Sequence, residues 1–294
     1  MASNPLHLEP ATQDGIETLL KSSYGCISQR WAQFRTGPTS LRDHPTWFIK
    51  GTTSDYAGTR RWWSRSSSLD KMDWAAWELA RSILDESVKN SVGLLLFIDK
   101  LKRLPTDPIR DHISEFDTKY VSMFSMASMY FCHFHAAMSG LSLSGLIIRD
   151  GRFLARDSTH SPRWKIINPS TWEEDRDRVS QRVHHEYIFQ QYDSLQKHRV
   201  KWLPFRTDGL KELKQVREAL TYKTQRMGGW SDTDYLDELK RVFPAHIEFQ
   251  RGILNPVVDV VRNGKWNRSY HPRKRVSPLA VRFKQYESLA SAIL

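Results

Sequence analysis

The longest apolar pattern of the chain lies between residues 106 and 140 and predicts a central helix. Asp107 followed by Pro108 is typical of a helix start, because the Asp side chain can cap free N–H groups and proline needs no hydrogen-bond acceptor there. Apolar residues then occur on nearly all sides, and Gly140 is placed to end the helix. Ser, Cys and His residues interrupt the run well before the roughly 18 apolar residues of a membrane span, so we expect a buried core helix.

Further helices are predicted where apolar residues recur every three or four positions. In the first long one, Gly93 predicts a break before the apolar run 94–98. Ser170 and Glu173 have the spacing of a capping box, which predicts another helix start. The helices predicted beside the central one cover residues 13–23, 70–88, 170–198, 209–227, 231–243, 257–262 and 279–294.

After the central helix the periodicity changes and predicts a β-hairpin. Two short apolar runs within residues 146–154 flank Asp150-Gly151, a dipeptide that favours tight hairpin turns. Residues 164–167 are suited to a third strand. The predicted fold class is mainly α, with a multi-helix globular core, a small β-hairpin insert at about residues 144–168 and extended terminal arms.

Changes in composition predict three parts of the chain. Residues 1–69 form an N-terminal arm followed by a basic segment rich in Trp, Gly and Ser. Residues 70–259 form the helical core, and residues 260–294 form a second basic segment with a C-terminal helix. Long loops rich in Gly and Ser are often functional, and the tryptophans of the first part argue against plain disorder.

Length and cysteine content indicate an intracellular protein. A chain of 294 residues can bury a substantial core without disulfides or metals. Cys26 and Cys132 are too few for a disulfide framework, and the N-terminus lacks the basic and apolar regions of a signal peptide. We therefore expect a location in the cytoplasm or nucleus and no transmembrane segment.

Positive charge is concentrated in two segments of a chain whose net charge is +11. Residues 260–286 contain eight Lys or Arg residues and no acidic residue, and residues 18–69 contain eight against two acidic residues. Such clustering is typical of a surface that binds a polyanion. The chain has 27 Arg and 17 Lys residues, and guanidinium groups grip phosphate with paired hydrogen bonds, so nucleic acid is favoured over a membrane surface.

The C-terminal basic segment combines cations with an indole ring, as proteins that hold single strands do. Its cations can neutralise phosphates while Trp266 stacks on a base. A solvated loop, or a nuclear-localisation run at residues 273–275, is the simpler alternative. The predicted nucleic-acid-binding residues here are Arg262, Lys265, Trp266, Arg268, Arg273, Lys274 and Arg275.

The N-terminal basic segment has the same character within a Gly- and Ser-rich stretch. Neighbouring cations and indole rings predict a clamp for single-stranded nucleic acid. The alternative is that the two tryptophans anchor a long loop in the core. The predicted binding residues here are Arg60, Arg61, Trp62, Trp63 and Arg65.

The central helix contains two possible metal ligands but does not predict a metal site. Cys132 and His135 are three positions apart and could both reach one ion. Two ligands do not make a zinc site, and no further Cys or His has the spacing to complete it. We expect instead a small apolar Cys132 and a buried, hydrogen-bonded His133, and we assign no metal and no cofactor.

Arg178 and His184 lie on one predicted helix, in the sequence Arg-Val-Ser-Gln-Arg-Val-His. This spacing resembles the Arg and His motif of HEPN-type ribonucleases, which are α-helical and often dimeric. The resemblance implies that His184 acts as the acid or base and that Arg178 stabilises the phosphate. An α-helical, HEPN-like ribonuclease is therefore an alternative function.

The function that we favour from the sequence is non-enzymatic binding of nucleic acid, with single-stranded RNA preferred to DNA and with self-assembly into a homo-oligomer. The layout of helical core, extended ends and basic charge near both termini is similar to that of nucleocapsid and filamentous coat proteins of RNA viruses. That similarity implies assembly along a strand, and a virion location if the protein is viral. The second alternative is a protein-interaction scaffold whose basic ends meet acidic partners or the anionic face of a membrane. No catalytic residue is assigned.

Overall fold

Helices account for most of the structure, a computed structural model in which residues 15–23, 70–103, 115–149, 152–157, 164–175, 184–206, 210–222, 232–266 and 272–294 are described. The predicted mainly α class is confirmed. Within these ranges the helices are α1 (residues 15–23), α2 (Asp70–Arg103), α3 (Glu115–Leu143), α4 (His185–His198), α5 (Leu210–Tyr222), α6 (Asp232–Asn263) and α7 (Arg273–Ile293).

Four short strands form one antiparallel sheet in the order β1-β2-β3-β4. Ile147 on the first strand lies opposite Leu154 on the second, which in turn lies opposite Ile166 on the third. The predicted hairpin and third strand are confirmed, and a two-residue fourth strand extends them. The strands are β1 (Leu146–Arg149), β2 (Arg152–Arg156), β3 (Trp164–Asn168) and β4 (Glu173–Glu174).

The chain divides into two compact units, and the long helices contribute residues to both. Unit 1 consists of Met1–Ile83, Ala137–Leu203 and Asn255–Ser277. Unit 2 consists of Leu84–Ala136, Pro204–Leu254 and Pro278–Leu294. Unit 1 contains the sheet, whereas the described part of unit 2 has no strand. The predicted boundaries at residues 69 and 259 stay predictions.

Strand β2 is buried on both faces in unit 1, which explains the apolar Phe-Leu-Ala sequence at its centre. Phe153 packs edge-on against Tyr187 of α4, with ring centroids 5.5 Å apart. On the opposite face, Leu154 belongs to an apolar cluster that joins the sheet to α1 and α2. The other buried members of this cluster are Leu19, Ala76, Ile147 and Trp164.

A buried ion pair ties α2 to the sheet. Arg156 donates two hydrogen bonds to Asp73, from Nε to Oδ1 at 2.9 Å and from Nη2 to Oδ2 at 3.0 Å. The indole Nε1 of Trp164 donates to the same Oδ1 at 2.6 Å. Both charged side chains are almost fully buried, at 0% exposure for Arg156 and 2% for Asp73. The pair is therefore shielded from salt and depends on this geometry to offset the cost of desolvation.

Helices α2 and α6 are longer than the sequence predicted. Gly93 lies inside α2 at a position with open space around it, and its cost of up to about 1 kcal/mol does not break a long helix with a buried face. Helix α6 continues through Pro244 and Pro256, each of which costs about 3 kcal/mol in a helix interior. Side chains such as Phe243 and Leu254 are buried along α6, and their burial offsets that cost.

The predicted helix start at Ser170 is wrong. Residues 169–172 form a turn, and Glu173 is paired in β4 with Asn168. The side chain of Asn168 accepts a hydrogen bond from the Ser170 N–H at 2.9 Å, so a local turn uses the donors that a helix start would have capped. The described helix begins at His185. The predicted start of the central helix, residues 106–108, lies outside the described residues.

Within the described part of the chain, none of the helices combines the length and the apolar character that crossing a bilayer requires.

Replacing Asp73 with alanine should lower the free energy of unfolding by about 3–5 kcal/mol, because Arg156 would keep its burial and lose both carboxylate acceptors. The matched control is Asp237→Ala, which removes an exposed carboxylate paired with Lys240 and should cost less than about 1 kcal/mol. Urea denaturation followed by circular dichroism measures both. Equal losses in the two variants would contradict the assigned role of Asp73.

Candidate functional site

The predicted C-terminal binding residues lie at the end of α6 and the start of α7, within unit 1. We call residues 262–266 together with residues 272–275 the α6–α7 basic segment. Of the twelve predicted binding residues, six fall in it: Arg262, Lys265, Trp266, Arg273, Lys274 and Arg275. Arg60, Arg61, Trp62, Trp63, Arg65 and Arg268 lie outside the described residues, so their roles stay predictions.

Gly264 ends α6 by allowing a close approach of backbone and indole. Its N–H donates to the Val260 carbonyl at 2.8 Å. A Cβ at this position would lie 2.7 Å from the same carbonyl oxygen and 2.8 Å from the ring of Trp266. Only glycine fits this site without a shift of the backbone or the ring. The turn leaves Arg262 and Lys265 exposed to solvent.

Trp266 is half-buried, and its ring N–H donates to the Val261 carbonyl at 3.1 Å. The indole therefore satisfies one of the free carbonyls at the end of α6 and packs on Gly264. This anchoring role was missed by the sequence analysis, although a glycine directly after a predicted helix end was a usable indication. Base stacking by Trp266 stays a prediction.

Helix α7 begins with three consecutive basic residues. The carbonyl of the buried Pro272 accepts hydrogen bonds from the N–H groups of Arg275 at 2.9 Å and Val276 at 3.0 Å. Arg273 and Lys274 are exposed, and the first turn of the helix has no acidic residue. Cations here face the positive end of the helix dipole, an arrangement that costs about 0.3–1 kcal/mol per charge.

Arg275 differs from its two neighbours because it faces an acidic side chain. Its Nη1 lies 3.8 Å from Oε2 of Glu78, a residue of α2 that is itself almost fully buried. Arg81 holds the same oxygen at 2.9 Å. Arg275 is therefore half-buried and helps to compensate a buried carboxylate, whereas Arg262, Lys265 and Lys274 form no ion pair among the described residues.

The proposed ribonuclease residue His184 lies at the N-cap of α4, exposed to solvent. Its Nδ1 accepts a hydrogen bond from the Tyr187 N–H at 3.2 Å, so this nitrogen stabilises the helix start. Arg178 lies outside the described residues. An acid or base role for His184 stays a prediction.

The cysteine and histidine of the central helix take part in a buried polar network of unit 2. Cys132 and His133 are buried, as predicted. His133 stacks on Phe249 with ring centroids 4.1 Å apart, and its Nδ1 lies 3.2 Å from Nδ1 of His246. The other members are Ser87, Ser91 and Gln250. Among the described residues, no group of three or more metal-ligating side chains is placed to hold an ion.

Carbonyl acceptors fix the direction of the hydrogen bonds that link the two serines, Gln250 and the two histidines. The Ser91 hydroxyl donates to the Ser87 carbonyl at 2.8 Å, so its oxygen must accept from Nε2 of His246 at 3.1 Å. A neutral His246 with its proton on Nε2 has a bare Nδ1, which accepts from Nδ1–H of His133. In the same way Gln250 donates to the Ser87 hydroxyl, which donates to the Cys132 carbonyl.

The network is held in its neutral form by burial. Desolvation lowers the pKa of His246 to about 3, and it lowers the pKa of His133 well below 6.5, with further contributions from His246 and Arg206. Desolvation also raises the pKa of the Cys132 thiol to about 12, against an opposing hydrogen bond with Ser91. A thiol that stays protonated is a poor nucleophile.

No family model matches the chain, and no curated protein or solved structure matched it.

Replacing Gly264 with alanine should destabilise the protein by about 1–3 kcal/mol, since the new methyl group meets a backbone oxygen and the Trp266 ring. Gly93→Ala is the matched control, because nothing lies within 4 Å of its added Cβ and helix propensity predicts a gain of up to about 1 kcal/mol. Thermal or urea denaturation distinguishes the two. A neutral Gly264→Ala would refute the packing argument.

Acid should destabilise unit 2 through the histidine pair. In the unfolded chain both histidines have a pKa near 6.5, whereas in the folded state the pKa of His246 is about 3 and that of His133 lies well below 6.5. The stability is therefore present above pH 6.5 and is lost as the pH falls below it. Each histidine contributes a slope of at most about 1.4 kcal/mol per pH unit. Urea titrations at pH 7, 6 and 5 measure it, and His246→Gln should reduce the slope. The control His198→Gln makes the same substitution at an exposed histidine of unit 1. An unaltered slope in His246→Gln would contradict the assignment.

Proposed function

We propose that the protein binds single-stranded nucleic acid, RNA in preference to DNA, and that copies of it assemble along the strand as nucleocapsid and coat proteins do. The observation that carries this proposal is the first turn of α7, in which Arg273 and Lys274 are exposed and no acidic residue is present. The proposal implies an intracellular location, or a virion if the protein is viral.

The electrostatics of this turn favour an anionic ligand. The free N–H groups at a helix start already carry a partial positive charge, and two exposed cations add to it. The first turn contains no acidic residue, so a bound phosphate would relieve this repulsion. The exposed Arg262 and Lys265 at the end of α6 precede it in the same acid-free stretch, which runs from residue 260 to residue 286.

A strand, rather than a single small anion, is supported by the number and kind of these groups. Several exposed cations spread over the α6–α7 basic segment suit a ligand with repeated phosphates. The mixture of Arg, Lys and one indole is suited to single strands, whose bases are free to stack. RNA is preferred because the layout of helical core, extended ends and basic charge near both termini is similar to that of nucleocapsid and coat proteins of RNA viruses. Comparing the affinities for RNA and DNA of the same base sequence tests this preference.

The double variant Arg273→Glu with Lys274→Glu should weaken binding to a single-stranded RNA oligomer by about tenfold or more, for every base sequence alike. It should also make the salt dependence of binding less steep. Each lost phosphate contact reduces the magnitude of the slope of the logarithm of the association constant against the logarithm of the salt concentration by about 0.7. Fluorescence anisotropy at several salt concentrations measures both quantities. Arg275 is left in place because it also compensates Glu78.

The matched control is Lys197→Glu with Lys201→Glu, which makes the same charge change at two exposed lysines of unit 1 outside the basic segment. It should leave the affinity within about twofold of the wild type at moderate salt, where distant charges are screened. Absence of RNA binding by the wild type at low salt, or equal losses in the two double variants, would refute the proposed site.

A further inference from the structure

Large apolar side chains are exposed on unit 2. Among the described residues, every exposed large hydrophobic side chain belongs to that unit: Leu96, Phe124, Phe131, Phe205, Val281 and Leu294. Two of them lie on the same helix, α3, where Phe124 is 70% exposed and Phe131 is 40% exposed. Exposed aromatic side chains that share a helix face are typical of a contact with another protein surface.

The two phenylalanines lie on one face of α3 with a small residue between them. Seven residues, or about 10.5 Å, separate Phe124 from Phe131, and Ser128 lies between them on the same face. The Ser128 hydroxyl donates to the Phe124 carbonyl at 2.9 Å. Because this hydroxyl already has an acceptor, the face can lose its water without leaving that donor unsatisfied. We call these three residues the α3 stripe.

The α3 stripe lies in an uncharged part of a strongly basic chain. Residues 121–148 contain no Asp, Glu, Lys or Arg, although the chain as a whole has a net charge of +11. Two copies of such a chain repel each other over most of their surface, and the repulsion is least where neither copy carries charge. The stripe itself offers a charged partner no group for an ion pair. Its own lack of charge and its apolar character therefore suit a second copy of the same chain.

We infer that the α3 stripe is the contact between neighbouring copies of this protein, formed by two antiparallel α3 helices related by a twofold axis. In this pairing Phe124 of each copy packs on Phe131 of the other, and the two Ser128 residues meet near the axis. The midpoint of the two phenylalanines falls beside Ser128, so the stripe is complementary to itself, as an isologous contact requires.

The size of the stripe sets the strength of the contact. Two partly exposed phenylalanines bury on the order of 200 Å² per copy, well below the roughly 800 Å² of a standard stable interface. Copies therefore pair weakly in free solution. When two copies are bound to one strand their effective concentration is high, and the same contact becomes occupied. This assembly role rests on the proposed function, whereas the pairing itself does not.

Cysteine crosslinking tests the pairing without RNA. Under mild oxidation at high protein concentration, Ser128→Cys should form disulfide-linked dimers roughly tenfold faster than Ser291→Cys. Ser291 is a matched control, because it is an exposed helix serine of unit 2 whose hydroxyl also donates to a carbonyl four residues earlier. The wild type measures the background from the native cysteines. Equal crosslinking of the two variants would overturn the inference.

A second test uses the phenylalanines. The double variant Phe124→Ser with Phe131→Ser should bind a short RNA oligomer as the wild type does and should lose roughly tenfold in affinity on a long strand, where neighbours touch. Phe205→Ser, which also removes an exposed phenylalanine of unit 2, should keep both affinities.

The outcomes separate the two proposals. Crosslinking through Ser128→Cys without RNA binding would refute the proposed function and leave the pairing in place. RNA binding with equal affinity per site on short and long strands, together with no excess crosslinking, would refute the pairing alone. A third outcome would identify a lipid surface, instead of a second copy, as the partner of the α3 stripe. In that case the wild type binds neutral phosphatidylcholine vesicles, the phenylalanine double variant does not, and Ser128→Cys shows no excess crosslinking.

Discussion

The carboxylate of Asp73 is the interaction on which the architecture of unit 1 depends. It accepts from Arg156 at the end of β2 and from Trp164 at the start of β3, two residues that lie opposite each other in the sheet. A shift of one residue in this register would turn the guanidinium to the other face and leave both charges buried and unpaired. The carboxylate on α2 therefore selects one strand pairing. That pairing places Leu154 against α1 and α2 and Phe153 against α4.

Much of the fold could be predicted from the sequence because its apolar residues recur at regular helical and strand spacings. The alternation around Asp150-Gly151 predicted the hairpin, and helical periods predicted every described helix, though not every boundary. The errors at Gly93 and Pro244 share one cause, since local propensities of about 1–3 kcal/mol were outweighed by burial along the whole helix. At Ser170 the capping pattern was real, but the Asn168 side chain accepts from the Ser170 N–H and forms a turn instead. Burial along a helix is a tertiary fact that a single sequence does not display, whereas the Asn168 acceptor is local and was a usable indication.

The candidate site was predicted from charge alone. Charge indicated the α6–α7 basic segment but not the different contacts that its individual residues make. The acid-free run predicted that cations would share a surface, and Arg262, Lys265, Arg273 and Lys274 are all exposed. The same run gave no indication that Arg275 faces Glu78, because that carboxylate lies almost 200 positions earlier in the chain. Nor did it show that the Trp266 ring caps the end of α6. Each of these roles depends on a partner brought close by folding.

The one-way order of donors in the histidine network limits how unit 2 can change over evolution. Ser87, Ser91 and His246 each accept one hydrogen bond and donate another in a fixed sense, so a replacement at these positions must keep the polarity as well as the size of the side chain. A glutamate in place of Gln250 has no N–H to give Ser87, and a phenylalanine in place of His246 removes a donor to the Ser91 oxygen and the acceptor of the His133 Nδ1–H. Neighbouring helices of the unit are therefore constrained to vary together, and substitutions at these positions should be coupled rather than independent.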